Sequence, residues 1–297
     1  MTAPQATHNR PGVPASPRGV LHAISVDVED WYQSTIDPDA PITDSCERNT
    51  MKVLEAFAAH GVRGTFFVLG LAAEKAPQVV KRIADAGHEV QSHGYGHRSN
   101  FGASEKAVRQ DLLRNKALLE DLAGREVYGY RSPCFSVDGR NMWVLDVLAE
   151  TGHRYDSSIF PVKKARYGID GYPPEPRIVA TPRGHRIVEA PVACFEWLGR
   201  RLPVGGGGHF RLWPYWVIRK AWRQIEAAGR PGVVYLHPYE YDPSQMHRYR
   251  GQVSLKMRLH QGIGRKGLRR KVDRLLSEFR FGPIKEALAD LLKALPK

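Results

Sequence analysis

Cysteine is scarce in this sequence, and the cysteines that occur form no recognisable pair. The chain has 297 residues, and its three cysteines are Cys46, Cys134 and Cys194. They lie far apart, their number is odd, and no CxxC spacing is present. A disulfide framework and a cysteine-ligated zinc site therefore find no support, and three free thiols in a reducing compartment are the simpler interpretation.

Long apolar runs are also missing. No stretch reaches the roughly 18 apolar residues that a membrane span needs. The first 19 residues, MTAPQATHNRPGVPASPRG, are polar and proline-rich, without the apolar centre of a signal peptide. We interpret residues 1–19 as a disordered leader. Export through a signal of its own is then not expected. We expect a cytoplasmic protein, with a peripheral position at a membrane as the alternative.

Acidic residues are nearly absent from one segment, Met246 to Arg274. Asp273 is its single acid, and the whole chain has a formal net charge of +13. Its basic residues are Arg248, Arg250, Lys256, Arg258, Arg265, Lys266, Arg269, Arg270, Lys271 and Arg274. No zinc-finger, RNP-like or helix-turn-helix pattern accompanies them, so nucleic acid is not expected as a partner. A solvated basic face is the plainest interpretation. An anionic membrane surface or a phosphate-bearing, lipid-linked glycan is the alternative.

The sequence does contain a regular alternation of short apolar runs and helical patterns. Seven runs are predicted as strands: VLHAISVDV, VRGTFFVLG, HEVQS, EVYGY, HRYDSS, HRIVEAPV and PGVVYLH. Helical patterns lie between most of them, which predicts parallel β/α units with right-handed crossovers. Residues 160–185 are rich in proline and glycine and are predicted as a long loop. No break in composition divides the units, so one domain is predicted.

Polar side chains follow the predicted ends of these strands. They are Asp27, Glu29 and Asp30 after the first strand, His93 and His97 after the third, Arg131 after the fourth and His237 after the seventh. In a β/α barrel, residues at the carboxyl ends of strands carry the chemistry. Two histidines four residues apart, joined by a carboxylate, are the donor set of a catalytic metal site. We predict such a site, with zinc as the first expectation and cobalt, nickel or iron as alternatives.

The third metal ligand is predicted from strand geometry. Side chains alternate between the two faces of a strand, so Asp27 and Glu29 point the same way and Val28 points into the opposite layer. Glu29 has the reach to join the two histidines at one metal. Asp30 is the second choice.

Two further features are predicted to contact substrate. Trp31, directly after the acidic cluster, is a candidate for stacking on a sugar ring, although most of the tryptophans are expected to pack in the core. The glycine run 205–208 matches neither a phosphate-binding loop nor GxGxxG. We interpret it as a flexible loop beside the site, with Gly206 and Gly207 at the substrate.

Taken in order, these motifs resemble those of the polysaccharide deacetylases of the NodB-homology type, carbohydrate esterase family four. SVDVEDW resembles the first motif of that family, SHGYGH its HxxxH metal motif, YRSPCF its arginine–proline motif and YLHP its final leucine–histidine motif. The resemblance extends from about Leu21 to Glu240. DVEDWYQ, YDSSIFP, EFRFGP and the glycine run before FRLWPY resemble the subfamily associated with exosortase and exopolysaccharide loci.

The resemblance implies a fold and an activity. The fold is expected to be α/β, a distorted (β/α) barrel of about seven parallel strands in a single domain over residues 20–245. Residues 246–297 are expected as a basic, mainly helical C-terminal extension packed on the barrel. The expected activity is metal-dependent hydrolysis of N-acetyl groups from N-acetylhexosamine units of a polysaccharide or lipid-linked glycan, with release of acetate.

The resemblance also implies roles for single residues. Asp27 is expected as the catalytic base, Arg131 as the residue that orients it and His237 as the catalytic acid. Cys134 stands where a tyrosine is usual and is expected to contact substrate through its backbone N–H. Ile159 stands where an aspartate often pairs with the acid histidine, so no partner for His237 is predicted.

Two other functions stay open at this point. One is a cyclic-amide hydrolase of the allantoinase type on the same fold, and the intact histidine pair, His93 and His97, argues against it. The other is a non-catalytic glycan-binding module. Asp27 and His237 argue against that, because binding alone needs neither a base nor an acid.

Overall fold

The computed structural model describes residues 19–296. The predicted leader, residues 1–19, lies outside the described residues except for Gly19. Within the described part the strands are β1 (Leu21–Val28), β2 (Thr65–Val68), β3 (Glu89–Ser92), β4 (Gly129–Tyr130), β5 (Tyr155–Asp156), β6 (Arg177–Ala180), β7 (Arg186–Glu189), β8 (Cys194–Trp197), β9 (Arg200–Pro203), β10 (Val233–Leu236) and β11 (Arg280–Gly282).

The helices fill most of the connections between these strands. They are α1 (Trp31–Thr35), α2 (Asp44–Ala59), α3 (Gly70–Lys75), α4 (Pro77–Asp85), α5 (Glu105–Ala123), α6 (Val144–Glu150), α7 (Gly207–Leu212), α8 (Tyr215–Ala227), α9 (Gln245–Arg248), α10 (Leu255–Gly262), α11 (Arg265–Glu278), α12 (Ile284–Ala287) and α13 (Ala289–Lys293). None of the helices in residues 19–296 is long and apolar enough to cross a bilayer.

Local signals in the sequence set the ends of several helices. The Ser104 hydroxyl accepts a hydrogen bond from the backbone N–H of Ala107 and caps α5, which ends at Gly124 in the left-handed conformation, φ 61°. Pro77 occupies the first turn of α4, where its missing N–H is not needed. These residues, which the sequence shows, set where α4 begins and where α5 begins and ends.

A single curled sheet forms the centre of the fold. Its order is β10-β1-β2-β3-β4-β5-β7-β6, and the neighbours from β10 to β7 are parallel. The sheet closes on itself through isolated bridges, Val192 to Val233 and Gly206 to Tyr235, instead of a continuous ladder. The predicted α/β class and distorted barrel of about seven parallel strands are confirmed.

The strands that the sequence did not predict are short or antiparallel. β6 lies in the segment predicted as a loop and pairs antiparallel with β7, and β8 and β9 form a separate antiparallel hairpin. β11 has three residues and pairs with the start of β1. Such half-exposed strands lack the continuous apolar run that marks a buried parallel strand, so periodicity does not reveal them.

The amino ends of the parallel strands are closed by the end of the chain. Ile284, Leu288 and Leu292 pack against an interior cluster that includes Phe67 and Tyr155. The C-terminal residues 246–296 therefore contain helices, as expected, and also β11, which belongs to the main sheet. The predicted boundary between residues 245 and 246 stays a prediction. With the amino ends covered, the carboxyl ends are left for a site.

Candidate metal and catalytic centre

A cavity of about 410 Å³ lies at the carboxyl ends of the strands. The sequence-predicted residues that line it are Asp27, Glu29, His93, His97, Cys134, Gly207 and His237. The lining residues that the sequence did not single out include Arg166, Tyr167, His209, Arg211, Tyr239 and Glu240. Side chains from widely separated parts of the chain therefore meet in one place, as expected for the carboxyl face of a barrel.

Glu29, His93 and His97 form a buried group with the donor set of a metal site. Their ligand atoms all lie within 4.8 Å of one another. Glu29 Oε2 is 3.2 Å from His93 Nε2 and 2.8 Å from His97 Nε2. Two imidazoles and a carboxylate leave a coordination position open, which suits a catalytic divalent ion such as zinc. The residues present therefore fit a divalent metal.

The backbone around the two histidines holds them in a metal-binding arrangement. His93 Nδ1 donates to the carbonyl oxygen of Arg131 at 2.8 Å, which leaves Nε2 free as a ligand. His97 has a left-handed backbone, φ 55°, a conformation that residues other than glycine rarely adopt. Asp111 of α5 accepts from the backbone N–H of Tyr95 at 2.9 Å and anchors the loop between the histidines.

Asp30, the second choice for the third ligand, has a structural role. Its carboxylate caps α1 by accepting from the backbone N–H of Tyr32 at 3.0 Å. It also accepts from the backbone N–H of Thr43 at 3.1 Å and from the Thr43 hydroxyl. Both carboxylate oxygens are thereby occupied away from the histidines. The geometry favours Glu29 over Asp30.

Arg131 holds Asp27 in a fixed orientation. Arg131 Nη1 donates to Asp27 Oδ1 and to the Ser25 hydroxyl, both at 2.7 Å, and Nη2 donates to the Ser157 hydroxyl at 2.8 Å. The Arg131 side chain is completely buried, and its guanidinium lies 4.4 Å from the ring centre of Phe67. One oxygen of Asp27 is therefore held by the arginine, and the other, Oδ2, faces the cavity side that carries His237.

His237 has a carboxylate partner that the sequence analysis missed. Glu240 Oε2 is 3.3 Å from His237 Nδ1 and accepts from the His237 backbone N–H at 3.1 Å. Glu240 Oε1 is 3.0 Å from Arg211 Nε, and both of these side chains are buried. Burial alone would lower the pKa of His237, but the hydrogen bond to Glu240 and the charges of Glu29, Glu240 and Asp27 raise it to about 9.

Glu240 therefore occupies the role left vacant at Ile159. The Ile159 side chain is fully buried in an apolar cluster and does not line the cavity. The sequence contains a signal for this pair. His237 and Glu240 are three residues apart in HPYE, and residues with that spacing meet across a single helical turn. Arg211 gave no such signal, because only the fold brings α7 beside Glu240.

Cys134 lies at the cavity with an unusual backbone. Cys134 and Phe135 have φ values of 56° and 51°, two consecutive left-handed residues without a glycine. Such conformations persist where the surrounding structure enforces them, often at functional sites. Desolvation by the cavity walls, with a further contribution from the charge of Glu29, raises the pKa of the Cys134 thiol to about 11. The thiol is therefore protonated at neutral pH and unsuited to act as a nucleophile.

Two of the predicted substrate contacts require correction. Trp31 is completely buried and packs against Tyr249, with ring centres 4.9 Å apart, so it offers no face to a sugar. A Cβ on Gly206 would lie 2.2 Å from the carbonyl oxygen of Tyr235. Gly206 thus serves close backbone packing against β10, and only Gly207 of the predicted pair lines the cavity. The predicted flexible loop at residues 205–208 is also partly helical, because α7 begins at Gly207.

Fold and site together define a distorted (β/α)-barrel protein with a buried two-histidine, one-carboxylate centre. Residues 34–155 match the family model described as Polysaccharide deacetylase, and residues 157–289 match a domain of unknown function, DUF3473. The first range is thus similar to the polysaccharide deacetylase family and the second to DUF3473, and each covers less than half of the chain. His237, Glu240 and Arg211 lie in the second matched range, whereas Asp27 and Glu29 precede the first.

Curated relatives match parts of the chain. A peptidoglycan-N-acetylglucosamine deacetylase of Bacillus cereus is 40% identical over 75 residues, which is 25% of this chain and 27% of that protein. A peptidoglycan deacetylase of Helicobacter pylori is 29% identical over 150 residues, 47% of this chain and 50% of that protein. The chain therefore spans half or less of the length of these relatives.

Solved structures share the fold over nearly the whole chain. A protein of Mycobacterium smegmatis assigned as a polysaccharide deacetylase is 23% identical, with a TM-score of 0.60 over 97% of this chain and 96% of its own. The allantoinase Puue is 15% identical, with a TM-score of 0.61 over 98% of this chain and 100% of its own. These likenesses support the fold but do not separate a deacetylase from an allantoinase.

Proposed function

We propose that this protein hydrolyses N-acetyl groups from N-acetylhexosamine units of a polysaccharide or lipid-linked glycan and releases acetate. The observation that carries the proposal is that Asp27 and His237 lie in one cavity with the three candidate metal ligands, Glu29, His93 and His97. His237 Nε2 is 4.0 Å from Asp27 Oδ2 and 3.7 Å from Glu29 Oε1. A base, an acid and a metal-binding group are the parts that amide hydrolysis requires.

The first half of the reaction needs an activated water. A divalent ion held by Glu29, His93 and His97 would supply Lewis acidity, which polarises a carbonyl and lowers the pKa of water. Asp27 Oδ2 is free to accept a proton from that water, because Arg131 holds Oδ1 and keeps the carboxylate aimed at the cavity. We assign Asp27 as the base and Arg131 as its positioning residue.

The second half of the reaction needs a proton for the leaving amine. The pKa of His237, raised to about 9, keeps its ring protonated at neutral pH. Nε2 faces the cavity while Nδ1 is held by Glu240, so the ring can deliver its Nε2 proton to a departing nitrogen. The backbone N–H of Cys134, at the cavity wall, is proposed to stabilise the developing oxyanion.

The substrate class is also a proposal. The curated relatives that act on peptidoglycan support an acetylated aminosugar polymer. The strings DVEDWYQ, YDSSIFP and EFRFGP support an exopolysaccharide or its lipid-linked precursor. Zinc is the proposed ion, with cobalt, nickel or iron as alternatives. The proposed location is the cytoplasm, with a position peripheral to the membrane as the alternative.

The test is acetate release by the purified chain loaded with zinc, cobalt, nickel or iron. Substrates are N-acetylglucosamine oligomers, an acetylated exopolysaccharide and, for comparison, allantoin. We expect metal-dependent acetate release from the glycans that a chelator abolishes, and no ring opening of allantoin. Asp27→Asn is the matched control, because it retains the metal ligands and removes the base.

Three outcomes would contradict the proposal. Ring opening of allantoin without acetate release would assign the site to a cyclic-amide hydrolase. Glycan binding with no turnover by any metal-loaded form would assign it to a binding module. Acetate release undiminished in Asp27→Asn would remove Asp27 from the mechanism.

A further inference from the structure

Large exposed apolar side chains are concentrated on one short helix and the residue that follows it. Leu255, Leu259 and Ile263 are exposed to 62%, 65% and 53%, and none of the residues of α10 is buried. Leu255 and Leu259 lie one turn apart on one side of α10, and Ile263, which caps the end of the helix, continues the same four-residue spacing. We call Leu255, Leu259 and Ile263 the α10 face.

Cationic side chains border the α10 face. At about 100° per residue, Lys256 lies beyond one edge of the face and Arg258 beyond the other. Within residues 19–296, the cations of this segment that are at least partly exposed and whose side chains form neither an ion pair nor a hydrogen bond are Arg250, Lys256, Arg258, Lys266 and Arg270. Their charge is therefore available to an external anionic partner.

Two of the remaining cations of the segment, Arg265 and Lys271, form contacts with the body of the protein. Arg265 is buried and donates to the carbonyl oxygens of Gln261 and Tyr239. Lys271 donates to the carbonyl oxygens of Arg211 and Trp213 at 2.6 and 2.7 Å. These contacts fix α11 to α7, so the segment that carries the α10 face is attached to the body of the protein.

The α10 face lies beside the mouth of the cavity. His260 and Gln261 of α10 line the cavity, together with Leu212 at the end of α7. Leu212 is itself a large exposed apolar residue, at 57%. Arg211 Nη1 donates to the Gln261 carbonyl oxygen and ties the end of α10 to α7. A surface that binds the α10 face would therefore lie next to the entrance of the site.

We propose that the α10 face docks on a membrane that contains anionic lipid. An apolar side flanked by lysine and arginine is the pattern of a helix that lies in the interface of a bilayer. The unpaired cations complement anionic headgroups. A second copy of the chain is disfavoured as the occupant, because it would bring two sets of unpaired cations together. Resting on the proposed function, the docking would present a lipid-carried glycan to the cavity.

The test is sedimentation of the full-length, metal-loaded protein with vesicles of phosphatidylcholine alone or with added phosphatidylglycerol. We expect the protein to sediment with the anionic vesicles at low salt and less at high salt. The variant L255S/L259S/I263S should lose at least about tenfold in partitioning, because its apolar anchor is gone. L113S/L198S is the matched control, since it removes exposed leucines from α5 and from the turn between β8 and β9, and it should bind like the wild type.

A second assay separates the docking from the catalytic proposal. Acetate release from a soluble N-acetylglucosamine oligomer should be unchanged in L255S/L259S/I263S, because these residues do not line the cavity. Vesicle binding without acetate release would support docking and overturn the proposed function alone. The docking is overturned if the wild type has no preference for anionic vesicles, or if the triple variant binds as well as the wild type. Self-association that the triple variant abolishes would assign the face to a second copy.

Discussion

The two ends of the parallel sheet use the same residue type in opposite ways. At the amino ends, His22, His88 and His153 are buried, and burial, aided by nearby positive charge, lowers their pKa values to about 4, 4 and 3. At the carboxyl ends, His93, His97 and His237 lie against carboxylates. Histidine is therefore a neutral structural group at one end and a candidate functional group at the other.

The hydrogen bonds of His22 and His88 fit the neutral state that burial favours. His22 Nδ1 accepts from the backbone N–H of Gly232, and His88 Nδ1 accepts from that of Gly64, both at 3.1 Å. A protonated ring has no acceptor, so protonation would break these bonds. The comparison shows that the position of a histidine in the barrel determines its role. Substitutions at either end should therefore affect different properties of the protein.

The largest effect is expected from the histidines at the carboxyl ends. His93→Gln or His97→Gln should lose the bound metal and all measurable acetate release, because a three-ligand site is reduced to two. His88→Gln, at the amino end, should keep both. Metal content by mass spectrometry of the purified variants is the measurement. Full metal content in His97→Gln would contradict the ligand assignment.

Substitutions of the neighbouring residues Glu29 and Asp30 should have different effects on metal binding. Glu29→Gln should lose the metal, since the neutral amide is a poorer ligand that shares no charge with the ion. Asp30→Asn should keep it and lose about 1 kcal/mol of the free energy of unfolding, because the amide can accept from only one of the backbone N–H groups of Tyr32 and Thr43 and carries no charge. Metal titration and urea unfolding of both variants check this. Loss of metal in Asp30→Asn alone would reverse the choice of ligand.

His237 should affect the rate without affecting the metal. His237→Gln is expected to reduce kcat by about 100-fold or more, because the leaving amine no longer receives a proton. Metal content should match the wild type. Steady-state kinetics on an N-acetylglucosamine oligomer measure the effect, and a wild-type kcat would exclude His237 as the acid.

Substitution of Glu240 should lower kcat less than substitution of His237 does, because Glu240 acts only by positioning the His237 ring. Glu240→Gln is expected to reduce kcat by about tenfold with little change in KM, since the ring keeps a hydrogen-bond partner but loses the charge that orients it. Glu240→Asp should restore part of the rate. Nitrogen chemical shifts of the His237 ring report its hydrogen bonding. A rise in KM by the same factor as the fall in kcat would indicate a purely structural role for Glu240.

The effect of the histidines at the amino ends is on stability and not on metal content or rate. As pH falls from about 6.5 towards 4, the unfolded state binds protons at His22, His88 and His153 that the folded state does not bind. The free energy of unfolding should therefore fall with decreasing pH, by up to about 1.4 kcal/mol per pH unit for each histidine. Urea unfolding between pH 7 and 4.5 measures the slope.

A substitution at His88 tests whether a buried histidine causes this pH dependence. His88→Gln should make the free energy of unfolding depend less steeply on pH, because glutamine can accept the Gly64 hydrogen bond without titrating. His247→Gln, which changes an exposed histidine, should not alter it. Identical slopes in all three proteins would show that the buried histidines do not determine the acid sensitivity.

The carboxyl-end residues were predictable from sequence because parallel strands bring their ends together. Glu29 was favoured over Asp30 by strand alternation, and the structure places Glu29 beside both histidines. Burial was harder to predict: Trp31 follows the acidic cluster in sequence, yet it faces the core. The family pattern does not point to Glu240, because it places the partner of the acid histidine at Ile159, and Arg211 could not be predicted because its contact with Glu240 depends on tertiary packing.

The pairing of β11 with β1 has a consequence for how the protein folds. β1, which contains Asp27 and leads directly to Glu29, pairs along its start with β11, and Arg280 Nη1 donates to the carbonyl oxygen of Gly19, 261 residues away in sequence. Contacts of such high sequence separation form late and slow the folding of a domain. On the ribosome, β1 would complete its pairing only after Arg280–Gly282 had emerged. A nascent chain that already contains every catalytic motif would still lack one neighbour of its first strand, and that exposed edge would need protection from aggregation.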